Sequence, residues 1–184
     1  MPKDLPAPEL LRKLLRYEPE TGKLFWRKRS LELLPEAANP VQWNARYAGK
    51  EAFTYTQSNG YVRGAIFNRS YLKHRIIWVL VTGRWPEHEV DHINGNRSDN
   101  RWCNLREANS RQNKWNSARQ KNSTSGFKGV SWHKSCGQWR ATISDHGKHK
   151  HLGYFPTPQA AYAAYQKEAK RIHGAYAKTP EDFL

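Results

Sequence analysis

Leucines at positions 10, 11, 14 and 15 of "ELLRKLLR" (9–16) recur at helical spacing and share one face, which predicts an amphipathic helix. That period is lost in "YEPETGKLFWRKR", where Pro19–Gly22 predicts a turn leading into a strand. Leu31–Tyr47 has no clear period and contains two prolines, so it is read as a loop. "GKEAFTYTQSNGYVRGAIFNRSYLKHR" is strand-rich, with a hairpin signal in "SNG" at 58–60 and a second turn signal in "NRS" at 68–70. "HRIIWVLVTGRWP" reads as a short buried helix stopped by Gly83 and Pro86. An apolar run of that length also suits a buried strand, and periodicity alone leaves both open.

The stretch Glu89–Asn113, "EVDHINGNRSDNRWCNLREANSRQN", is different in texture. It predicts a short strand at Val90–His92, a polar loop over "INGNRSDNR" and a second strand over "NLREA". A helix over "SRQNKWNSARQK" follows, with Asn109 as its N-cap. "NSTSG" at 122–126 is small and polar, as linkers are. Beyond it, three strands are predicted at Gly129–His133, Gln138–Ser144 and Lys150–Phe155, separated by turns at "KSCG" and "DHGK". The last helix has Thr157 as N-cap, Pro158 at its first position and Gly174 past its end. Ala161, Ala164, Tyr165, Ala169 and Ile172 share a face, and the small alanines let that helix lie close on the sheet. The expected fold class is α+β, in two domains, 1–121 and 127–184, joined by the linker at 122–126.

Composition narrows the partner. Hydrophobic residues are 38% of the 184, so each core is thin, and the eight Trp, nine Tyr and six Phe compensate in part. Thirty-one Lys and Arg against 16 Asp and Glu give a formal charge of +15. Such an excess favours a polyanion, because each cation that meets a phosphate releases counterions. A membrane surface fits less well, since no basic amphipathic helix has a wide enough apolar face. The longest apolar run, Ile76–Val81, is far too short to span a bilayer, and "MPKDLPAPELLRKLL" lacks a stretch of signal-peptide length. Cys103 and Cys136 form no CxxC, so neither a zinc ribbon nor a disulfide framework is indicated and a reducing cytoplasm is expected.

Asp91 offers a hard anionic oxygen and Asn113 a neutral one. With phosphate oxygens and water they suit one Mg²⁺-like ion, which keeps most of its waters. His92 can take a proton from water and direct it at phosphorus, while the metal stabilises the leaving oxygen. Successive strand side chains point to opposite faces, so Asp91 and His92 share a site only at a strand end or with the phosphate lying between them. The Gly95 turn favours the strand end.

The order "VDHINGNRSDNRWCNLR" followed by "RQN", over about Tyr71 to Asn116, resembles the HNH (ββα-metal) nucleases, specifically the phage and homing-endonuclease branch. The resemblance implies a DNA endonuclease using Mg²⁺ or another divalent cation such as Mn²⁺. It makes His92 the general base, Asp91 and Asn113 the metal ligands, and Asn104 the middle family residue that braces the hairpin and orients the histidine. Asn at the last position, where His is frequent, suggests one hard ion rather than a zinc-like one. "YLKHRIIW" looks like the usual lead-in, with His74 structural or a phosphate contact. His88 is read as solvated and Asp99 as a turn cap.

Ser125–Ala177 resembles the AP2 DNA-binding fold, through "FKGVSW", "QWRATI", "HLGYF" and the Ala/Tyr-rich helix. In that family the sheet enters the major groove, which implies Lys128, Trp132, His133, Lys134, Arg140, His149 and Lys150 as DNA contacts here. Trp139 is read as core. Ser131 stands where plant AP2 proteins carry Arg, so base preference is not transferable. Arg97, Arg101, Arg106, Arg111, Lys114, Arg119 and Lys121 make a basic run across the site and its helix, expected to contact phosphate. The reading is a duplex-DNA endonuclease of phage or prophage kind, in the bacterial cytoplasm and able to act as a monomer, whose second domain aids site choice. The alternative is a non-cleaving, sequence-specific DNA-binding regulator, against which intact Asp91, His92 and Asn113 argue. An RNA-directed nuclease fits less well, because a sheet cannot enter the narrow A-form major groove. A basic coat protein has no use for an Asp-His at a strand end.

Overall fold

Pro8 presets the first turn of helix α1 (Pro8–Leu14), and Leu11 and Leu14 are buried on its inner face. The structure is a computed structural model that describes residues 5–34, 39–116, 124–145 and 147–177. The chain divides into two units, Met1–His92 with Asn96–Ala108, and Ile93–Gly95 with Asn109–Leu184.

In the first unit α1 stops two residues earlier than leucine spacing predicts. Leu15 is already extended and begins β1 (Leu15–Glu18), which pairs antiparallel with β2 (Lys23–Trp26). Both Leu14 and Leu15 stay buried, because a helix end and a strand start can turn adjacent residues to the same core. β3 (Glu51–Ala52) adds to the free side of β2. Within the segment expected to be a loop lie a 3₁₀ turn (Leu31–Leu33) and helix α2 (Pro40–Tyr47). Asn39 caps α2, its Oδ1 accepting from the Val41 and Gln42 backbone N–H groups. No residue of α2 is fully buried, and its eight residues are too few for a helical period to stand out in the sequence.

β4 (Tyr55–Thr56), β5 (Val62–Ile66) and β6 (Arg69–Leu72) form a second antiparallel sheet; its first turn falls at "SNG", and its second at Phe67–Asn68, one residue ahead of "NRS", whose Arg69 and Ser70 already belong to β6. "HRIIWVLVT" is helical: α3 (Lys73–Thr82) buries Ile76, Ile77, Trp78 and Val79 and ends on Gly83 in the left-handed region. β7 (Glu89–His92) and β8 (Leu105–Ala108) make a two-stranded ribbon, and a 3₁₀ turn (Trp102–Asn104) leads into β8. One core joins these parts, with Leu11, Leu14, Leu15 and Leu24 packed among Phe53, Ile66, α3, Val90 and Leu105.

The second unit holds α4 (Ser110–Asn116), the sheet β9 (Val130–His133), β10 (Gln138–Asp145) and β11 (Lys148–Phe155) in the order β11-β10-β9, and α5 (Pro158–His173). Asn109 caps α4 and Gln112 returns the bond to the Asn109 N–H, a reciprocal capping box. Thr157 caps α5 through the Ala160 N–H. Ala161, Tyr165 and Ala169 face Val130, Ala141 and Ile143, so small residues do bring the helix close to the sheet. The indole of Trp115 on α4 stacks on His173 at the end of α5, 4.3 Å between centroids. Arg119, Lys121 and most of the predicted linker lie outside the described residues. The architecture is mixed α+β with small antiparallel sheets, and no described helix is long and apolar enough to cross a membrane.

Candidate active site

The ribbon sets the register: Asp91 stands opposite Arg106, and His92 opposite Leu105. His92 is the last residue of β7, at the strand end that a shared site for Asp91 and His92 requires. The Asp91 Oδ2 accepts from both Nε (3.0 Å) and Nη2 (2.9 Å) of Arg106. Asp91 is 7% exposed, so this ion pair is largely removed from water and neither charge is easily left alone. Arg106, expected to meet phosphate as part of the basic run, is thus turned inward to Asp91.

His92 is 3% exposed. Its Nε2 lies 3.4 Å from the Asn100 Oδ1, and its ring meets His74 edge-on at 4.9 Å and Tyr61 at 5.9 Å. Burial pushes the imidazole pKa down, with Asn100 and Asp91 partly opposing. A depressed pKa keeps the ring neutral near pH 7, the form a general base needs. His74 is buried too, and burial, then His92, pushes it down to about 3. It is an uncharged ring packed on Tyr61 and His92, which suits a structural role better than attraction of phosphate.

Asn100 is the residue that sequence reading missed. It is 2% exposed and held from three sides. Its Nδ2 donates to the Ser98 carbonyl, its own carbonyl accepts from the Tyr17 hydroxyl at 3.0 Å, and Gly22 of the β1–β2 turn presses on its backbone. A Cβ on Gly22 would sit 2.5 Å from the Asn100 carbonyl carbon, so only glycine lets the turn approach this closely. Nothing local separates Asn100 from Asn94, Asn96 or Asn104; only the fold does. Asn104 donates through Nδ2 to the Asp99 carbonyl at 2.8 Å, across the same loop. Asp99 accepts from the Arg101 backbone and binds its guanidinium at 2.7 and 2.8 Å. Arg97 donates to the Asn59 carbonyl and lies 4.6 Å over the Tyr61 ring. His88 is exposed, its N–H donating to Glu107.

In the second unit Asn113 sits on α4, partly buried, its N–H bonded to the Asn109 carbonyl, and Arg111 and Lys114 are exposed on that helix. Lys128 does not reach outward: its Nζ donates to the Lys114 and Trp115 carbonyls at the end of α4. Register sorts the sheet candidates. Arg140 pairs with Ser131 and Tyr154, and His149 with Ser144, on the face away from α5, where His133 packs on Tyr154. His151 and Tyr154 share that face and went unrecognised in the sequence. Lys150 leaves by the other face and pairs with Glu168 of α5. Trp132 packs edge-on against Trp139 but stays 47% exposed, and Lys134 is exposed in the following turn.

For a metal, the donor chemistry is decisive. No group of three or more His, Cys, Asp or Glu gathers among the described residues, which a zinc-like site needs. One hard carboxylate with amide oxygens fits an ion that retains most of its water, as Mg²⁺ does. A divalent ion on Asp91 would compete with Arg106 for Oδ2.

Residues 71–114, from β6 through α3 and the ribbon into α4, match the HNH endonuclease family. Protein 3.8 of Escherichia phage T7 is 31% identical over 113 residues, which are 61% of this chain and 93% of the phage protein. No solved structure matches the chain. A likeness that takes in nearly the whole of the phage protein, together with the motif around Asp91 and His92, means that the chain belongs to the family of phage T7 Protein 3.8 and carries an HNH endonuclease domain at residues 71–114.

Proposed function

We propose that the protein is a DNA endonuclease that nicks or cleaves duplex DNA by phosphodiester hydrolysis with a divalent cation, Mg²⁺ or Mn²⁺. The observation that carries this is His92, a neutral imidazole at a strand end, backed by Asn100 and adjacent to Asp91. With hydrogen on Nε2, the ring donates to the Asn100 Oδ1, which orients the neutral imidazole that is to accept a proton from the attacking water. Asn100 thereby selects the tautomer, and Asn104 holds the loop that carries it. Asp91, and Asn113 on the order of the motif alone, would hold the cation; when bound it neutralises charge on the leaving oxygen. The Arg97, Arg111 and Lys114 side chains supply the charge that holds the strand.

The C-terminal sheet with its single packed helix is proposed to act as an AP2-type module that aids site choice. Arg140 and His133 support this, because the Arg140 Nε and the His133 Nδ1 are buried without a hydrogen-bond partner on the sheet face that α5 leaves open. Base edges in a major groove would satisfy such groups. Residence in the cytoplasm of a phage-infected or lysogenic bacterium follows from the same reading.

The test is supercoiled plasmid incubated with the protein and Mg²⁺, beside EDTA and His92→Ala controls. Nicked or linear product absent from both controls is expected. A mobility shift with no cutting under any divalent cation would overturn the nuclease and leave a DNA-binding regulator.

A further inference from the structure

The first unit contains a second polar feature that the nuclease site does not use. Arg29 is 7% exposed, and its guanidinium lies 3.9 Å over the Trp43 ring and 4.7 Å over Trp26. Its Nε is buried with no hydrogen-bond partner, and among the described residues no carboxylate pairs with it. Burial pulls its pKa down to about 10, which still leaves it charged at neutral pH. Its backbone is fixed by Asn44, which accepts from the Arg29 N–H and donates to the Arg29 carbonyl, both at 2.9 Å. The side chain lines a cavity of about 400 Å³ with Trp26, Trp43, Tyr47 and Phe67. That size falls within the range, about 300–1,000 Å³, of small-ligand sites.

The rim is unusual as well. Phe67 and Asn68 form the β5–β6 turn, and both have positive φ, 49° and 59°. Asparagine tolerates that region; a bulky aromatic is strained there. Phe67 nevertheless stays 40% exposed and Tyr47 36%, so the strain does not serve to bury either ring. A cation with no counter-ion among the described residues can take an anion, and two accessible rings beside it offer stacking area. A phosphate joined to a planar base provides both.

We propose that this cavity receives one unstacked nucleotide of a DNA strand, its base against Tyr47 and Phe67 and its phosphate toward Arg29. It rests on the reading of the chain as a protein that acts on DNA, and it adds a site separate from the chemistry at His92. Arginine and aromatic side chains together are the usual means of holding single strands without sequence preference.

The experiment measures binding of a labelled oligothymidylate against an abasic strand of equal length and charge, by fluorescence anisotropy on the full chain. Charge attraction is common to both strands, so their ratio reports the base alone. Wild type should prefer the base-bearing strand by about fivefold or more, the lower bound for stacking one base. Tyr47→Ala and Phe67→Ala, at exposed positions that leave the core intact, should bring the ratio close to one with circular dichroism unchanged. Arg29→Lys should weaken both strands, since it keeps the charge but loses the planar fork. If both alanine variants keep the wild-type ratio, the aromatic cage is only packing and the proposal fails, whether or not the plasmid is cut. If the plasmid is never cut but the ratio persists and collapses in these variants, the pocket stands and the nuclease reading falls.

Discussion

Replacing Gly22 by alanine should damage both stability and chemistry, although the residue is far in sequence from the Asp-His pair. Two costs combine. The first is conformational: at φ +69° an alanine is disfavoured by about 1 kcal/mol. The second is steric: the new Cβ would lie 2.5 Å from the Asn100 carbonyl carbon and 2.6 Å from the Arg101 nitrogen. Both neighbours are backbone, so relief requires a shift near 1 Å rather than a rotamer change, and overpacking of that kind costs about 1–3 kcal/mol. The total is about 2–4 kcal/mol. Gly49→Ala is the internal control, since Gly49 has φ +79° with nothing within 4 Å of its Cβ position and bears only the first cost. Urea titrations should show Gly22→Ala well below Gly49→Ala, with m unchanged. Because the shift moves Asn100 off His92, the nicking rate should also fall, by up to about a hundredfold under conditions where the variant is folded. Equal midpoints for the two variants, with wild-type nicking by Gly22→Ala, would refute the argument that this turn positions the site.

His92→Ala should abolish plasmid cutting and leave DNA affinity nearly unchanged; parallel loss of both would indicate misfolding. Arg106→Ala removes the counter-charge of a buried carboxylate and should cost about 3–5 kcal/mol, with Mn²⁺ restoring part of the melting temperature by replacing that charge; no recovery with Mn²⁺ would count against a metal on Asp91. His74 has a folded pKa of about 3 against an ordinary 6.5, so the unfolded chain binds a proton that the folded chain refuses. Stability is therefore full above pH 6.5 and falls as pH drops toward 3, by up to about 1.4 kcal/mol per pH unit from this group. His74→Phe should flatten the urea midpoint between pH 7 and pH 5, and an unchanged slope would assign the effect elsewhere. Arg140→Ala should cost about 1–3 kcal/mol in affinity for the preferred duplex and relax sequence preference, with the plasmid-cutting chemistry retained at low salt; an unchanged preference would count against a base contact.

The parts of the fold that could be read in advance were those with local signals. α3 and α5 carry apolar runs or faces with glycine stops, and Thr157, Pro158 and Asn109 mark helix starts by their own hydrogen-bonding chemistry. α2 went unread because eight residues are too few to establish a period, though the Asn39-Pro40 pair at its start carried the cap signal. The site divides in the same way. Asp91 and His92 stand in an ordered motif, and residues 71–114, which contain them, match the HNH endonuclease family. Asn100, Tyr61, Tyr17 and Gly22 are not, because their roles arise from contacts such as that between Tyr17 and Asn100, 83 residues apart. The fate of the arginines was equally hidden: composition counts Arg101 and Arg106 as surface charge, whereas Asp99 and Asp91 hold them.

The core described for the first unit bears on how such genes can be shuffled. The stretch that matches the nuclease family is continuous along the chain, yet Leu11, Leu14, Leu15, Leu24, Ala52, Phe53 and Ile66, which close the core beneath it, all precede it. A recombination event that moved residues 71–114 alone would deliver the HNH motif without the floor it stands on. Viable crossovers should therefore fall before α1 or beyond residue 114, so that inheritance takes the supporting core together with the motif.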